Sequence, residues 1–329
     1  MKKGNVAALL PIGVFLVLYL GLGILFEYGM GISMGFYNIP IVVIFLVALL
    51  VACFQNRSLS FDDKLVVMGR GIGDKTIVTM VLIFMVAGIF VGTVGRDSAE
   101  SVAYLLLSVV PVQFAVAVLF VVSCFVSLSM GTSVGTITLI TPIAVAVAAA
   151  SGFSLPLCVA SVMGGAMFGD NLSFISDTTI AATRTQGCQL RDKFRVNFLI
   201  ALPAAIITII VLLVVGRPET VTEMGNLSFN VIKVIPYLAV LVLALIGMNV
   251  FLVLTIGIFA AGIIGLALGD LDIPLFAQSI WNGFTGMNEV FFLSLFCGGM
   301  SEMIAHNGGI TWLIEKLGRM MKGNKSAQV

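Results

Sequence analysis

Ten apolar runs, at residues 6–26, 39–54, 77–95, 112–129, 136–150, 154–169, 196–215, 231–248, 250–269 and 289–305, limit this chain to folds that a lipid bilayer accepts. A helix of about 20 predominantly apolar residues crosses the hydrocarbon layer with its backbone hydrogen bonds closed internally. The pattern therefore predicts an all-α fold, a polytopic transmembrane helical bundle. Composition agrees: 60% of the 329 residues are hydrophobic and 10% charged, against roughly 25% charged in a soluble domain. The opening run follows Lys2 and Lys3 as in a signal peptide, but it has a spanning length and no A-x-A cleavage site, so it reads as a retained first helix. Runs 136–150 and 154–169 are short for a crossing and flanked by glycine and proline, which points to broken helices and a re-entrant hairpin.

The basic residues mark topology. With Met1 in the cytoplasm, 14 of the 17 Lys and Arg residues fall in segments on that side, and only Arg96, Arg217 and Lys233 lie opposite. That asymmetry fits the positive-inside rule and requires an odd number of crossings between Arg96 and Arg184. A net charge of +1 offers nucleic acid no partner surface, and five scattered cysteines show no metal-ligand spacing. Residues 9–25 overlie 234–250 with Pro11 on Pro236, and residues 80–100 overlie 290–310 with Gly88 on Gly298. The same register sets Gly73 on Gly283 and Asp62 on Asp272, and a shortened loop accounts for the change of shift between the two matches. The two copies enter from opposite sides, as in inverted-repeat transporters. The expected organisation is a first transmembrane repeat with the ion-site segments at 1–215, an external loop at 216–230 and a partial second, inverted repeat at 231–329. A counterpart of the central stretch would begin beyond Val329, so the chain reads as truncated or completed by another polypeptide, whether a second copy in a homo-oligomer or a different chain.

That central stretch, residues 123–185, carries polar groups where an anchor would carry leucine. Eight hydroxyls lie between Ser123 and Thr141, around Gly131, Gly135 and Pro142. A helix is expected to break near Met130 and a new one to start near Thr136, exposing carbonyls that, with Ser129, Thr132, Ser133 and Thr136, suit a hard monovalent cation such as Na+. The competing account is close helix packing through the pairs Gly131/Gly135 and Gly165/Gly169. Next comes FGDNLSFISDTT. Asp170 and Asp177, seven residues apart, share one face with Ser173 between them if the segment is helical and separate if it is extended. Two carboxylates out of water hold either a proton or a cation, and competition between the two is a minimal exchange mechanism; the alternative is that one of them caps a helix starting near Thr178.

The GTSVGT segment paired with GDNLSFISDTT and a Thr-Arg-Thr-Gln-Gly loop resembles the NhaC family of sodium/proton antiporters, within the broader ion-transporter superfamily. The resemblance implies a bacterial inner-membrane secondary transporter with a cytoplasmic N-terminus, coupled to Na+ and H+ and needing no cofactor beyond them. Carried over, the site residues are Gly131, Thr132, Ser133, Gly135 and Thr136 with Gly169, Asp170, Asn171, Ser173, Ser176, Asp177, Thr178 and Thr179, and Asp170 and Asp177 are the expected Na+ ligands. The family also holds Na+-coupled carriers of small organic anions or amino acids, which would favour a buried cation in the site; Arg184 is the basic residue nearest the centre by sequence, placed at the rim. A non-functional fragment or an assembly subunit is the reading from another class. An intramembrane aspartyl hydrolase is disfavoured because its carboxyls must converge from separate helices, whereas these share one segment. GRGIGDKT lacks the contiguous Gly-Lys-Ser/Thr of a phosphate loop. His306 and Glu289 read as a structural turn and a rim residue, and Arg96, Asp97 and Glu100 as the start of a short interfacial helix.

Overall fold

The computed structural model describes residues 4–57, 59–174, 176, 178–179, 182–183, 188–216 and 229–320. Among them are thirteen α-helices and no strand. Seven helical segments are long and apolar enough to cross a membrane: Val6–Gly29, Lys75–Gly95, Val112–Met130, Ser133–Ser151, Leu155–Leu172, Arg191–Val215 and Val250–Leu268. Two further apolar helices, Ile41–Gln55 and Val231–Leu245, are shorter. The first and the sixth of the seven bury only 11% of their most apolar window, whereas the four at Lys75–Gly95, Val112–Met130, Ser133–Ser151 and Val250–Leu268 bury 39–50%. Apolar side chains left open at that density are what a lipid-facing helix presents.

The chain divides into two compact units, Met1–Leu82 with Met287–Val329 and Ile83–Gly286. In the first, α1 (Leu10–Ile24), α2 (Ile41–Gln55) and α3 (Phe61–Ile72) pack with α12 (Asn288–His306) and α13 (Gly309–Met320). Ser60 starts α3 by accepting from the Asp63 amide at 3.1 Å. A Cβ on Gly71 would sit 2.2 Å from the Gly298 carbonyl, so α3 and α12 meet backbone to backbone. Next to this contact Ala52 and Met303 are fully buried.

The second unit begins inside α4 (Lys75–Val109), whose helix is interrupted at Gly95 (φ 74, ψ 171). The residues after Arg96, expected to start a short interfacial helix, form the part of α4 that follows the break at Gly95. Just before α4, Asp74 accepts from the Thr76 amide at 2.8 Å, a bond that holds its carboxyl below the usual carboxylate range. Then follow α5 (Ala115–Met130), α6 (Ser133–Ser151), α7 (Leu155–Leu172), α8 (Leu190–Val215), α9 (Val231–Leu245), α10 (Val250–Leu268) and α11 (Ile273–Thr285).

The tightest pairing in this unit is between α5 and α7, and it is parallel. Ser161 donates to the Val116 carbonyl at 2.7 Å, Cβ atoms on Gly165 and Gly169 would each lie 2.3 Å from the carbonyls of Phe120 and Cys124, and Ser127 donates to the Ala166 carbonyl at 2.6 Å. The paired positions climb together along both helices, a small-residue ridge that lets backbones touch. Between them α6 turns back, after Gly131 and before Gly152, both left-handed. Helices α6 and α7 run to 19 and 18 residues, longer than the apolar runs at 136–150 and 154–169, because polar residues at the start of α6 and the end of α7 are helical too. Shortness therefore no longer argues for half-helices here.

Gly165→Ala is expected to destabilise the protein by about 1–3 kcal/mol, since the new methyl meets a carbonyl that cannot move without its helix. Gly164→Ala, whose Cβ would lie 3.5 Å from the Phe120 ring, is expected to be tolerated. Thermal melting of the detergent-solubilised variants compares the two.

Candidate functional site

The C-terminal ends of α5 and α7 lie together because the two helices are parallel. Helix α5 stops at Met130; Gly131 takes φ 68, ψ 28 and its amide closes on the Ser127 carbonyl at 2.8 Å. Thr132 is extended (φ −150, ψ 121) and its hydroxyl accepts from the Gly135 amide, so α6 starts at Ser133, three residues before the expected Thr136. The break near Met130 is thus where the sequence placed it. Gly135 has a different task from Gly131: a Cβ there would lie 2.6 Å from Val250, the first residue of α10.

Asp170 occupies the last turn of α7 and faces this break. Its Oδ2 accepts from the Ser133 hydroxyl at 2.9 Å. Its Oδ1 is buried and has no hydrogen-bond partner among the described residues, as have Ser123 Oγ and Thr141 Oγ1. A buried polar atom of this kind requires an explanation. Electrostatics sharpens the point, because a helix C-terminus carries partial negative charge and an acid there is disfavoured unless something positive approaches. The α6 N-terminus supplies part of that through Ser133.

Helix α7 ends at Leu172, and Ser173 is extended (φ −67, ψ 136). Of the two arrangements left open for Asp170 and Asp177, a single helix through both is not the one found, because α7 ends before Ser173; Asp177 itself lies outside the described residues, as does Arg184. Ser173, Ser176 and Thr179 are buried, and the hydroxyls of Ser176 and Thr178 lie 2.8 Å apart with Thr178 exposed. Asn171 is exposed, and its side chain bonds back to the Met167 carbonyl at 3.1 Å, so what it offers the site is a backbone oxygen. Thr136 is buried and spends its hydroxyl on the Thr132 carbonyl at 2.9 Å. Ser129 is half-buried at the end of α5, with its carbonyl against the turn at Gly247.

One residue of the site was not anticipated. Lys193, in the first turn of α8, donates to Thr179 Oγ1 at 2.7 Å and to the Asn171 carbonyl, and it interacts electrostatically with Asp170. From the sequence it counts only as a topology marker. The signal that finds it is spatial: Phe174, Phe194 and Phe198 stack in a ladder, centroids 4.8 and 5.8 Å apart, that lays the start of α8 beside the end of α7. Among the described residues no group of three His, Cys, Asp or Glu side chains can hold a metal.

A second polar place lies at the other end of α9 and α10. A cavity of about 380 Å³ opens at the Gly95 break, lined in part by Thr93, Ser98 and Ser279. At its mouth Lys233 pairs with Asp97 at 3.3 Å and Asp270 at 2.9 Å. The 19-residue length of α10 separates this end from Val250 by about 28 Å.

Comparison with known proteins gives a consistent picture. The sequence profile described as the Na+/H+ antiporter family matches residues 6–217. The chain is 26% identical to the malate-2H+/Na+-lactate antiporter of Bacillus subtilis strain 168, over 94% of this chain and 69% of that protein. It is 28% identical to the Na+/H+ antiporter NhaC of Alkalihalophilus pseudofirmus, over 81% and 60%, and 27% identical to NhaC of Bacillus subtilis, over 74% and 58%. The aligned part thus covers about six to seven tenths of these relatives' lengths. No solved structure matches the chain.

Gly131→Ala is expected to lower stability by about 1 kcal/mol, because only the helix-ending left-handed conformation lets α6 start at the end of α5. A drop in melting temperature of the purified variant is the measurement.

Proposed function

The chain belongs to the Na+/H+ antiporter family, and from that premise we propose that it exchanges Na+ for protons across a bacterial plasma membrane, with Asp170 as the carboxylate for which the two compete. It is a multi-pass membrane protein of a family of transporters, not of enzymes. The observation that carries the proposal is the buried, unpartnered Oδ1 of Asp170 at the break between α5 and α6. A cation there meets that oxygen and the carbonyl ends of two parallel helices; a proton neutralises the same group instead. Site occupation by one excludes the other, which is the coupling an antiporter needs. Asp177, five residues past the end of α7, is proposed as the second carboxylate of the exchange. The positive-inside pattern supports a cytoplasmic N-terminus.

Inverted repeats belong to the same proposal. The register that sets Gly73 on Gly283 and Gly88 on Gly298 makes a Gly73/Gly298 contact the counterpart of a Gly88/Gly283 contact. A Cβ on Gly283 would lie 2.3 Å from the Gly88 carbonyl, and Gly298 meets Gly71, two residues from Gly73. That correspondence supports the repeat at 231–329 as a copy of part of 1–215.

One observation favours a second reading, a Na+-coupled carrier of a small organic anion. Such a substrate calls for a cation in the site, and Lys193 is a cation within electrostatic reach of Asp170. The similarity to a malate/lactate antiporter points the same way.

In vesicles carrying the chain, Na+ is expected to collapse a preset pH gradient, Asp170→Asn and Asp177→Asn to abolish the response, and Ser133→Ala to weaken it several-fold. Undiminished exchange in Asp170→Asn would falsify the assignment. Collapse that requires lactate or malate together with Na+ would establish the second reading in its place.

A further inference from the structure

We infer that the ammonium of Lys193 is a tethered stand-in for the transported cation: it holds the edge of the site at Asn171 and Thr179, within electrostatic reach of Asp170, when Na+ is absent and is displaced when Na+ enters. This rests on the placement of Na+ at Asp170 proposed above.

The atoms around the ammonium are those a Na+ ion would take. Lys193 Nζ meets a hydroxyl, Thr179 Oγ1, at 2.7 Å, and a helix-end carbonyl, that of Asn171, with the Asp170 carboxylate in electrostatic reach. Hydroxyl, carbonyl and carboxylate oxygens are the donor set for a hard monovalent cation. Thr179 is 4% exposed and Ser173 and Ser176 are 1% exposed, while Lys193 is half-buried and Asn171 exposed, so the ammonium lies at the edge of the buried hydroxyls, where it can reach them and also water. Lysine suits the task, being a compact charge with three donors on a flexible stem that reaches a site and withdraws without moving its helix. The helix itself is held by the stack of Phe194 and Phe198 on Phe174.

The need for such a group follows from the carboxylate. An acid at a helix C-terminus, left without a counter-ion in low dielectric, destabilises the protein when Na+ departs. An ammonium held within electrostatic reach lessens that penalty and makes Na+ compete with it. The geometry also weighs against an anion anchor: the ammonium is turned toward acceptors, whereas an anchor for a carboxylate must aim its donors at the substrate. Competition has two kinetic signatures. Na+ binds less tightly than the oxygens alone would allow, and it leaves faster because the tethered group returns.

The experiment compares wild type, Lys193→Met and Asp170→Asn in vesicles, with Na+-driven collapse of the pH gradient read across Na+ concentration. Lys193→Met is expected to lower the apparent KM for Na+ at least tenfold and to lower the maximal rate as well. An unchanged or raised KM in Lys193→Met, with a wild-type response that Asp170→Asn removes, overturns the stand-in and leaves the Na+ site in place. A wild-type Na+ response that Asp170→Asn retains overturns the site and the stand-in with it. Should Lys193→Met fail to fold, the wild type carries the test by itself. Reductive methylation of Lys193, followed by mass spectrometry, is expected to be several-fold faster in Na+ than in K+, because the displaced ammonium reaches the reagent; equal rates overturn the inference.

Discussion

The parallel contact between α5 and α7 is the constraint from which the site follows. Within hydrocarbon there is no hydrophobic drive to press helices together, so their affinity comes from close packing and interhelical hydrogen bonds. Gly165 and Gly169 remove the side chains that would separate the backbones, and Ser161 and Ser127 bond across the seam at its two ends. Because the helices run the same way, their C-terminal ends fall at one level. Helix α6 has to return between them, and its first residue, Ser133, meets the last turn of α7 at Asp170. The site is thus a consequence of helix direction before it is a consequence of any polar residue.

Helix ends then set the sign of what can bind. Two C-termini bring carbonyl oxygens, of which those of Ser127 and Asp170 are met by the amides of Gly131 and Ser173, and one N-terminus brings the Gly135 amide, which Thr132 engages, and the Ser133 hydroxyl, which donates to Asp170. A carboxylate added at the negative end would be an error in a soluble helix. In the exchange proposed above it is the place where positive charge is admitted and released, since the protein supplies attraction without a closed coordination shell.

Much of this was legible in the sequence, for physical reasons. The break at Gly131 shows because a left-handed residue next to an N-capping threonine is local chemistry, and Asp170 shows because no anchor puts an acid in an apolar run. The eight hydroxyls of residues 123–141 were less informative, because a hydroxyl that bonds back to its own helix looks the same in sequence as one that faces an ion. Thr136 and Thr138 bond back, to the carbonyls of Thr132 and Val134, Ser127 bridges two helices, and Ser133 reaches Asp170. The glycine pairs split in the same way: Gly165/Gly169 pack helices, while Gly131 ends one. Lys193 was hidden because its relation to Asp170 depends on how the chain folds back after α7, which no local pattern encodes. The disposition of Asp170 against Asp177 turned on whether α7 continues, and the extended Ser173 is a single-residue event that spacing could not decide.

Lys193 and Lys233 show how little residue type alone determines. Both face carboxylates, and Lys233 has the more conventional geometry, with two partners at 2.9 and 3.3 Å. Yet the side chains of those partners, Asp270 and Asp97, are 49% and 77% exposed, so water and salt screen the pairs and each contributes at most about 1 kcal/mol. What holds the walls of that cavity is the backbone approach of Gly92 to Gly283, where a Cβ would lie 3.0 Å away. Lys193 is half-buried between buried Thr179 and exposed Asn171, with the Asp170 carboxylate in electrostatic reach, where screening is partial and an unpaired charge costs more. One lysine therefore decorates a polar rim, and the other sits where a change of partner alters the energy of the whole site.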